Sequence, residues 1–366
     1  MMDTQQQRND WRTLRVARKA YADLERNVAL FDLVAADSQP LAPYAPGQYL
    51  TLRLLLPDPG ASGRQESRIR CYTLVDPPGA PHYRIAVKRQ ISPPGVVSSH
   101  LHDAVDVGTR LEALPPAGGF VPDDGDLPLV LIAGGIGITP ILSMLQANFS
   151  APRPRKSWLF YGVRHGGELV YADYLYRLAR ERHDFHRIFC FSRPWPEERA
   201  GLEYDRLGHV TSDLLRRTLP APDGCRFYLC GPQAMMASLL PALLEWGVAR
   251  ERIHCEAFGP ASWTGLLSET EPEAGKRQSV GAQPLVTFSA SGRSLPWDPD
   301  APSLLEFAEA QDIAIDSGCR SGLCGACQTR ILSGRVDYPA PPDFQPAPGA
   351  CLPCVAKPAG DLTLEA

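Results

Sequence analysis

Between residues 12 and 120 apolar side chains come in short runs that often alternate with polar ones, as in Tyr49-Leu-Thr-Leu-Arg-Leu-Leu-Leu and Tyr83-Arg-Ile-Ala-Val-Lys88, separated by turns bearing proline and glycine. A period of two sends successive side chains to opposite faces of a strand, so this stretch is predicted to be an antiparallel β-barrel. From Leu127 the rhythm changes. Apolar runs of strand length are followed by helix-length stretches: Leu127–Ala133 then Ile136–Asn148, Ser157–Tyr161 then Tyr171–Arg182, Arg187–Phe191, and Arg226–Leu229 then Gln233–Trp246. Alternating strands and helices imply a parallel sheet with crossover helices. Residues 261–283 are rich in Ser, Thr, Glu and Gly with little apolar periodicity and read as a linker. The expected organisation is a barrel over 12–122, an α/β domain over 126–260, the linker, and a third domain over 284–366.

Composition narrows the class. A chain of 366 residues is comfortable for two or three domains. Its first ten residues lack the basic start and apolar run of a leader peptide, which points to the cytoplasm. The longest apolar stretch, Leu127 to Leu145, contains Gly134, Gly135, Gly137 and Pro140 and is expected to be strand, turn and helix, not a membrane span. A net charge of −4 offers nucleic acid no general attraction. Ten acidic and five basic residues fall between Pro284 and Ala366, so the third domain is the acidic end.

That domain carries the most specific signal. Cys319-Arg-Ser-Gly-Leu-Cys324-Gly-Ala-Cys327, with Cys351 and Cys354 beyond, has the C-x4-C-x2-C…C spacing of a plant-type [2Fe–2S] centre. Gly318, Gly322 and Gly325 leave room for backbone N–H groups to approach a cluster. Four cysteines also suit one tetrahedral zinc, but structural zinc sites pair C-x2-C with a second close pair or with His, and no His follows Cys327. Either Cys351 or Cys354 can supply the fourth thiolate. The remaining cysteines, Cys71, Cys190, Cys225, Cys230 and Cys255, read as reduced thiols.

Two further sets of residues bear on chemistry. In Arg70-Cys71-Tyr72-Thr73-Leu74, alternation puts Arg70, Tyr72 and Leu74 on one strand face, a cation and an aromatic ring suited to a phosphate and a planar ring on one ligand. Thr73 is placed to hydrogen-bond a flavin nitrogen. The Gly95-Val-Val-Ser98 turn precedes an expected helix, Ser99 to Ala104, whose free N–H groups favour a pyrophosphate. In the second domain, Gly134-Gly135-Ile-Gly137-Ile-Thr139-Pro140 ends the first strand, with Pro140 where the third glycine of a G-x-G-x-x-G fingerprint would stand. Cys230-Gly231-Pro232 ends a later strand, and the two turns are expected to face one dinucleotide.

Together these strings resemble the ferredoxin–NADP reductase superfamily, and within it the oxygenase reductases of the phthalate dioxygenase reductase type, which end in a plant-type ferredoxin domain. The resemblance covers nearly the whole chain and implies a β-grasp-like α+β fold for the third domain. It places Arg70 at a flavin phosphate, Tyr72 on the ring and Thr73 near the reactive nitrogen, with Cys71, Val87 and Lys88 alongside. Gly95, Val97 and Ser98 are implied at the pyrophosphate of FAD. The flavin segment is similar to the reductase half of flavohaemoglobins, which favours FAD; the phthalate dioxygenase reductase type keeps FMN as the alternative. Gly135, Gly137 and Thr139 are implied at the nicotinamide nucleotide, Cys230, Gly231 and Pro232 beside the nicotinamide, and Phe258, in Glu256-Ala-Phe258-Gly259, close to the flavin. Thr73, Cys230 and Phe258 are thus the residues implied nearest the reacting atoms. The tail Cys354-Val-Ala-Lys-Pro matches the family's C-V-x-x-P, which makes Cys354 the fourth ligand with Cys319, Cys324 and Cys327.

Ser192, Arg193 and Arg164 resemble positions that contact a 2′-phosphate and would suit NADPH, whereas reductases of this layout commonly use NADH, the expected donor. The resemblance implies an NAD(P)H-dependent electron-transfer enzyme that serves a separate terminal oxygenase, because the chain carries no Rieske pattern or haem-binding helix of its own. A Rieske-type partner leads; a haem-thiolate or diiron monooxygenase is the alternative, and a non-catalytic redox sensor is the reading from a different class.

Overall fold

A computed structural model of the chain describes residues 11–37, 39–57, 65–256, 258, 283–339, 341–342 and 344–366. The leader-region expectation at residues 1–10, the linker up to residue 282, and Ala257 and Gly259 of the Glu256–Gly259 string lie outside the described residues.

The first six strands are β1 (Arg12–Tyr21), β2 (Val28–Ala35), β3 (Tyr49–Pro57), β4 (Gln65–Thr73), β5 (Tyr83–Lys88) and β6 (Arg110–Ala113), with helix α1 (Val96–Asp103) between β5 and β6. They form one sheet in the order β4-β3-β6-β1-β2-β5, and an antiparallel bridge from Leu74 to Ile85 links the end of β4 to the opposite edge. Inward-facing Leu14, Val16, Phe31, Leu33, Leu50, Leu52, Ile85 and Val87 fill the interior. The period-two reading therefore describes a real alternation. Helix α1 starts three residues earlier than expected. Gly95 is its N-cap, so Ser98 lies inside the first turn instead of preceding it.

The second sheet is parallel, ordered β10 (Arg206–Leu207), β9 (Phe185–Phe191), β8 (Ser157–Val163), β7 (Leu129–Gly134), β11 (Arg226–Cys230) and β12 (Ile253–Glu256). Its main crossover helices are α2 (Ile138–Ser150), α3 (Ala172–Glu181), α4 (Ser212–Thr218) and α5 (Gln233–Glu245). Strand β7 begins only at Leu129, because Pro128 has no N–H for the ladder and its carbonyl instead accepts from Arg226. All six residues of β7 are buried, as a central parallel strand requires. Thus the Leu127–Leu145 stretch is strand, turn and helix, and among the described residues no helix is long and apolar enough to cross a membrane. Val28, Val75, Ala86 and Phe120 of the barrel region share a core with Leu129, Leu131, Ile141 and Leu145, so barrel and parallel sheet make one compact unit that runs to Phe258.

The C-terminal domain is α+β. Strands β13 (Leu285–Phe288), β14 (Arg293–Pro296), β15 (Thr329–Ser333), β17 (Ala350–Cys351) and β19 (Leu362–Leu364) form a mixed sheet ordered β14-β13-β19-β15-β17, and β16 (Val336–Asp337) pairs with β18 (Lys357–Pro358). Helix α6 (Leu304–Glu309) is capped by Ser303, whose hydroxyl accepts from Glu306 N–H at 3.3 Å in an S-x-x-E sequence. Leu304, Phe307 and Ala308 pack on Val286, Phe288, Leu362 and Leu364.

Candidate functional site

Two glycine turns meet at the centre of the parallel sheet. Strands β7 and β11 are neighbours from which the chain winds off in opposite directions, and in such sheets the crevice at the strand ends holds the ligand. The turn after β7 is one 3-10 turn, Gly135–Gly137, running into α2. A Cβ on Gly137 would lie 2.2 Å from the Cys230 carbonyl oxygen, and one on Gly134 would lie 2.6 Å from Pro232 Cδ. Only glycine permits that approach. Thr139 is buried in the first turn of α2 and its hydroxyl donates to the Ile136 carbonyl at 3.1 Å. Cys230 is fully buried, and burial holds its thiol well above the ordinary range.

In front of the paired turns lies a cleft of about 550 Å³. Gly135, Arg164, Ser192 and Pro232 line it, as does Lys88 from the end of β5, a residue the family resemblance groups with the flavin. Arg193 is exposed outside that lining, with its N–H on the Arg164 carbonyl at 2.7 Å. Residues missed from sequence also line the cleft, among them Glu168, His209, Thr211 and Met235. Glu168 had no motif to announce it. Its carboxylate is nearly buried and accepts from Arg164 Nε at 2.8 Å, from Arg164 Nη2 and from the Arg164 backbone N–H at 3.0 Å, with Lys88 Nζ 3.7 Å away. Burial alone would raise its pKa, but the Arg164 hydrogen bonds and the Lys88 charge outweigh burial and hold it below the ordinary carboxylate range.

On β4, exposure falls along the strand from exposed Arg70 through half-buried Cys71 and Tyr72 to buried Thr73. Tyr72 packs against the barrel core. Thr73 Oγ1 is buried and has no hydrogen-bond partner among the described residues, a donor and acceptor left for a polar ligand edge. Val87 and Val97 belong to the barrel core, and the Val87 carbonyl accepts from His102 Nε2 at 2.8 Å. Ser98 closes its own turn: its hydroxyl donates to Gly95 O at 3.2 Å and accepts from Gln90 N–H at 3.1 Å. The first-turn N–H groups of α1 at Val96 and Val97 come free at a helix N-terminus, which suits a phosphate. Phe258 is exposed just beyond β12.

Among the four motif thiols, Cys319 lies beside Cys324 and Cys327 beside Cys354. Among the described residues no three His, Cys, Asp or Glu side chains converge on one metal position. Two pairs suit a two-iron cluster, which takes two protein ligands on each iron, better than a single tetrahedral zinc. Cys319 Sγ accepts from the N–H groups of Ser321, Leu323 and Cys324 at 3.2–3.4 Å, and Cys324 Sγ from those of Cys319 and Ala326 at 3.3 and 3.4 Å. Such bonds favour thiolates. Gly325 has φ +69° and a Cβ there would strike the Phe344 ring at 2.4 Å, so glycine is required on both counts. Cys351 is fully buried in the sheet core, whereas Cys354 lies in a separate cluster with Cys327 and Val355.

Comparison with known proteins adds independent findings. The oxidoreductase NAD-binding domain model matches residues 131–240, and the 2Fe-2S iron-sulfur cluster binding domain model matches 286–359. The flavohemoprotein of Deinococcus radiodurans is 35% identical over 252 residues, 69% of this chain and 60% of that protein, so the chain spans about three fifths of the length of this relative. The FAD/NAD-binding domain of nitric oxide dioxygenase from Vibrio cholerae is 30% identical with a TM-score of 0.59, over 69% of this chain and 100% of that one. Phthalate dioxygenase reductase, described as a modular structure for electron transfer from pyridine nucleotides to [2Fe-2S], is 25% identical with a TM-score of 0.59, over 98% of both chains.

Proposed function

Because the chain belongs to the ferredoxin–NADP reductase-like NAD(P)H oxidoreductases, in the form that carries a C-terminal [2Fe–2S] domain, we propose that it is the cytoplasmic reductase component of a multicomponent oxygenase, drawing electrons from NADH and handing them singly to a separate terminal oxygenase of Rieske type. The observation that carries this reading is the presence, in one chain, of a cleft at the parallel sheet's switch point and a cysteine loop with the spacing of a plant-type [2Fe–2S] centre. When bound, a flavin and a [2Fe–2S] cluster would supply the conversion of a two-electron donor into one-electron deliveries.

The chain's own residues then have positioning tasks. Arg70 and Tyr72 would take the phosphate and the ring of the flavin, and Thr73 its polar edge. The N-terminus of α1 would take a flavin phosphate, and the likeness to an FAD/NAD-binding domain favours FAD over FMN. Gly135, Gly137 and Thr139 would hold the nicotinamide nucleotide against Cys230, Gly231 and Pro232, with Phe258 covering the meeting point. Cys319, Cys324, Cys327 and Cys354 would hold the cluster. No side chain needs to act as a strong acid or base; orientation and exclusion of water suffice. In this reading residues 12–122 serve the flavin, 126–260 the nucleotide and 284–366 the cluster.

The test is the visible spectrum of the purified protein, followed without oxygen as NADH and NADPH are added separately. Flavin bands with a broad iron–sulfur shoulder that bleach faster with NADH support the reading. A colourless protein would return the thiols to zinc, and a coloured one that never bleaches would favour the sensor. Rapid NADH-driven reduction of a haem-thiolate oxygenase, with none of a Rieske oxygenase, would replace the partner class.

A further inference from the structure

The lining of the nucleotide cleft contains one guanidinium, one ammonium, one carboxylate and the imidazole of His209. Both cations are turned on the same acid. Arg164 gives Glu168 two guanidinium hydrogen bonds and its backbone N–H, and Lys88 Nζ stands 3.7 Å from the carboxylate. Arg164 also belongs to the wall where a 2′-phosphate would be read, since its carbonyl accepts from Arg193 N–H at 2.7 Å and Ser192 lines the same cleft.

A carboxylate only 8% exposed cannot release its cations freely, because an unpaired buried charge is far more costly than an unpaired exposed one. Arg164 itself is 54% exposed, so reach does not limit it; its engagement does. A 2′-phosphate entering this wall would have to strip the guanidinium from Glu168 and would meet the carboxylate's own charge. A 2′-hydroxyl makes neither demand.

We propose that Glu168 sets the nucleotide preference, holding Arg164 away from a 2′-phosphate so that the cleft takes NADH over NADPH. This rests on the reading of the cleft as the dinucleotide site. Glu168 is thereby a specificity determinant that acts through Arg164.

The experiment measures dissociation constants of NAD⁺ and NADP⁺ by calorimetry on the full chain as purified, for wild type, Glu168→Gln, Arg164→Ala and the double variant. Gln keeps an acceptor for the Arg164 backbone N–H while removing the charge. A freed guanidinium on a phosphate predicts that the Kd ratio of NADP⁺ to NAD⁺ falls about tenfold or more in Glu168→Gln. The double variant should restore a ratio near wild type, because no guanidinium is left to meet the phosphate, whereas Arg164→Ala alone bares the Glu168 charge to the cleft and should not lower the ratio. An unchanged ratio in Glu168→Gln with both nucleotides still bound, or a ratio that falls in Arg164→Ala alone, overturns the proposal and leaves the cleft assignment standing. Wild type that binds neither nucleotide overturns the cleft assignment and this inference with it. Should Glu168→Gln not fold, Glu168→Asn, which also removes the charge, takes its place with the same expected fall in the ratio.

Discussion

Ser143 Oγ, midway along α2, donates to the main-chain carbonyl of Asp76 at 3.0 Å, three residues beyond Thr73. One turn further on, Gln146 Nε2 donates to the Val75 carbonyl at 2.8 Å. The helix that begins at the Gly135–Gly137 turn is therefore tied by side chains to the segment that follows the Thr73 strand. These bonds help fix where the nucleotide turn stands relative to Thr73 inside one compact unit. Ser143→Ala should cost about 1 kcal/mol, because the Asp76 carbonyl keeps its bond from Tyr44 OH at 2.9 Å and only one buried hydrogen bond is lost. Urea denaturation of the purified protein measures it.

The same seam holds an ion cluster. Arg84 bonds both carboxylate oxygens of Asp32, at 2.5 and 2.8 Å, and Asp76 Oδ1 at 3.1 Å, and His82 Nε2 lies 3.0 Å from Asp76 Oδ2. Burial pushes the Asp32 carboxyl up, but the Arg84 hydrogen bonds and charge outweigh it and hold the group below its ordinary value. A carboxyl lowered on folding stabilises the protein above its unfolded value of about 3.9, and that stabilisation is lost as pH falls through the folded value. Arg84→Met should cost about 3 kcal/mol near neutral pH, since it strands buried carboxylates. The deficit against wild type should shrink as pH falls into the carboxylate range, because the buried Asp32, unpaired in the variant, takes up a proton before the paired one does. Thermal melts of both proteins across that range show whether the gap narrows.

Thr73→Val separates stability from ligand binding. Replacing a buried hydroxyl that lacks a partner removes a desolvated polar group, so the flavin-free protein should be as stable as wild type or up to about 1 kcal/mol more stable. Flavin retained through gel filtration should fall. Loss of stability without loss of flavin would show that Thr73 is merely packed.

Gly137→Ala should abolish NAD⁺ binding and destabilise the parallel sheet, since its methyl would overlap the Cys230 peptide, a contact with backbone that no rotamer relieves. Gly224→Ala, where a methyl meets nothing within 4 Å and the backbone is not left-handed, should stay within about 0.5 kcal/mol of wild type. Calorimetric nucleotide binding and thermal melts distinguish the two.

Cys354→Ser should eliminate most of the iron–sulfur absorbance and the iron and sulfide content. Cys351→Ala should keep both while costing about 1–2 kcal/mol, because it empties a fully buried thiol site in the sheet core. The reverse pattern would assign the fourth ligand to Cys351.

The sequence by itself determined the architecture, because the signals for it are local. Alternation marks the barrel strands, unbroken apolar runs followed by helical stretches mark the parallel sheet, and the spacing of Cys319, Cys324 and Cys327 marks the thiol loop, since in each case neighbours in the chain are neighbours in space. Boundaries slipped where one backbone group decides them. Pro128 delays β7, Gly95 starts α1 before its serines, and the two-residue β10 is too short to show a period.

Only the tertiary structure decided which distant residues share a site. It brings Lys88 from the barrel to the cleft and presses Gly137 against the Cys230 peptide. It also pairs Cys319 with Cys324 and Cys327 with Cys354, and gathers Arg164 and Lys88 around a glutamate that no motif singles out. The Lys88–Glu168, Gly137–Cys230 and Cys327–Cys354 contacts join segments tens of residues apart, and a local pattern carries no information about which turn of one strand end will face which turn of another. Hydrophobic period chooses the elements; the packing of their ends composes the chemistry.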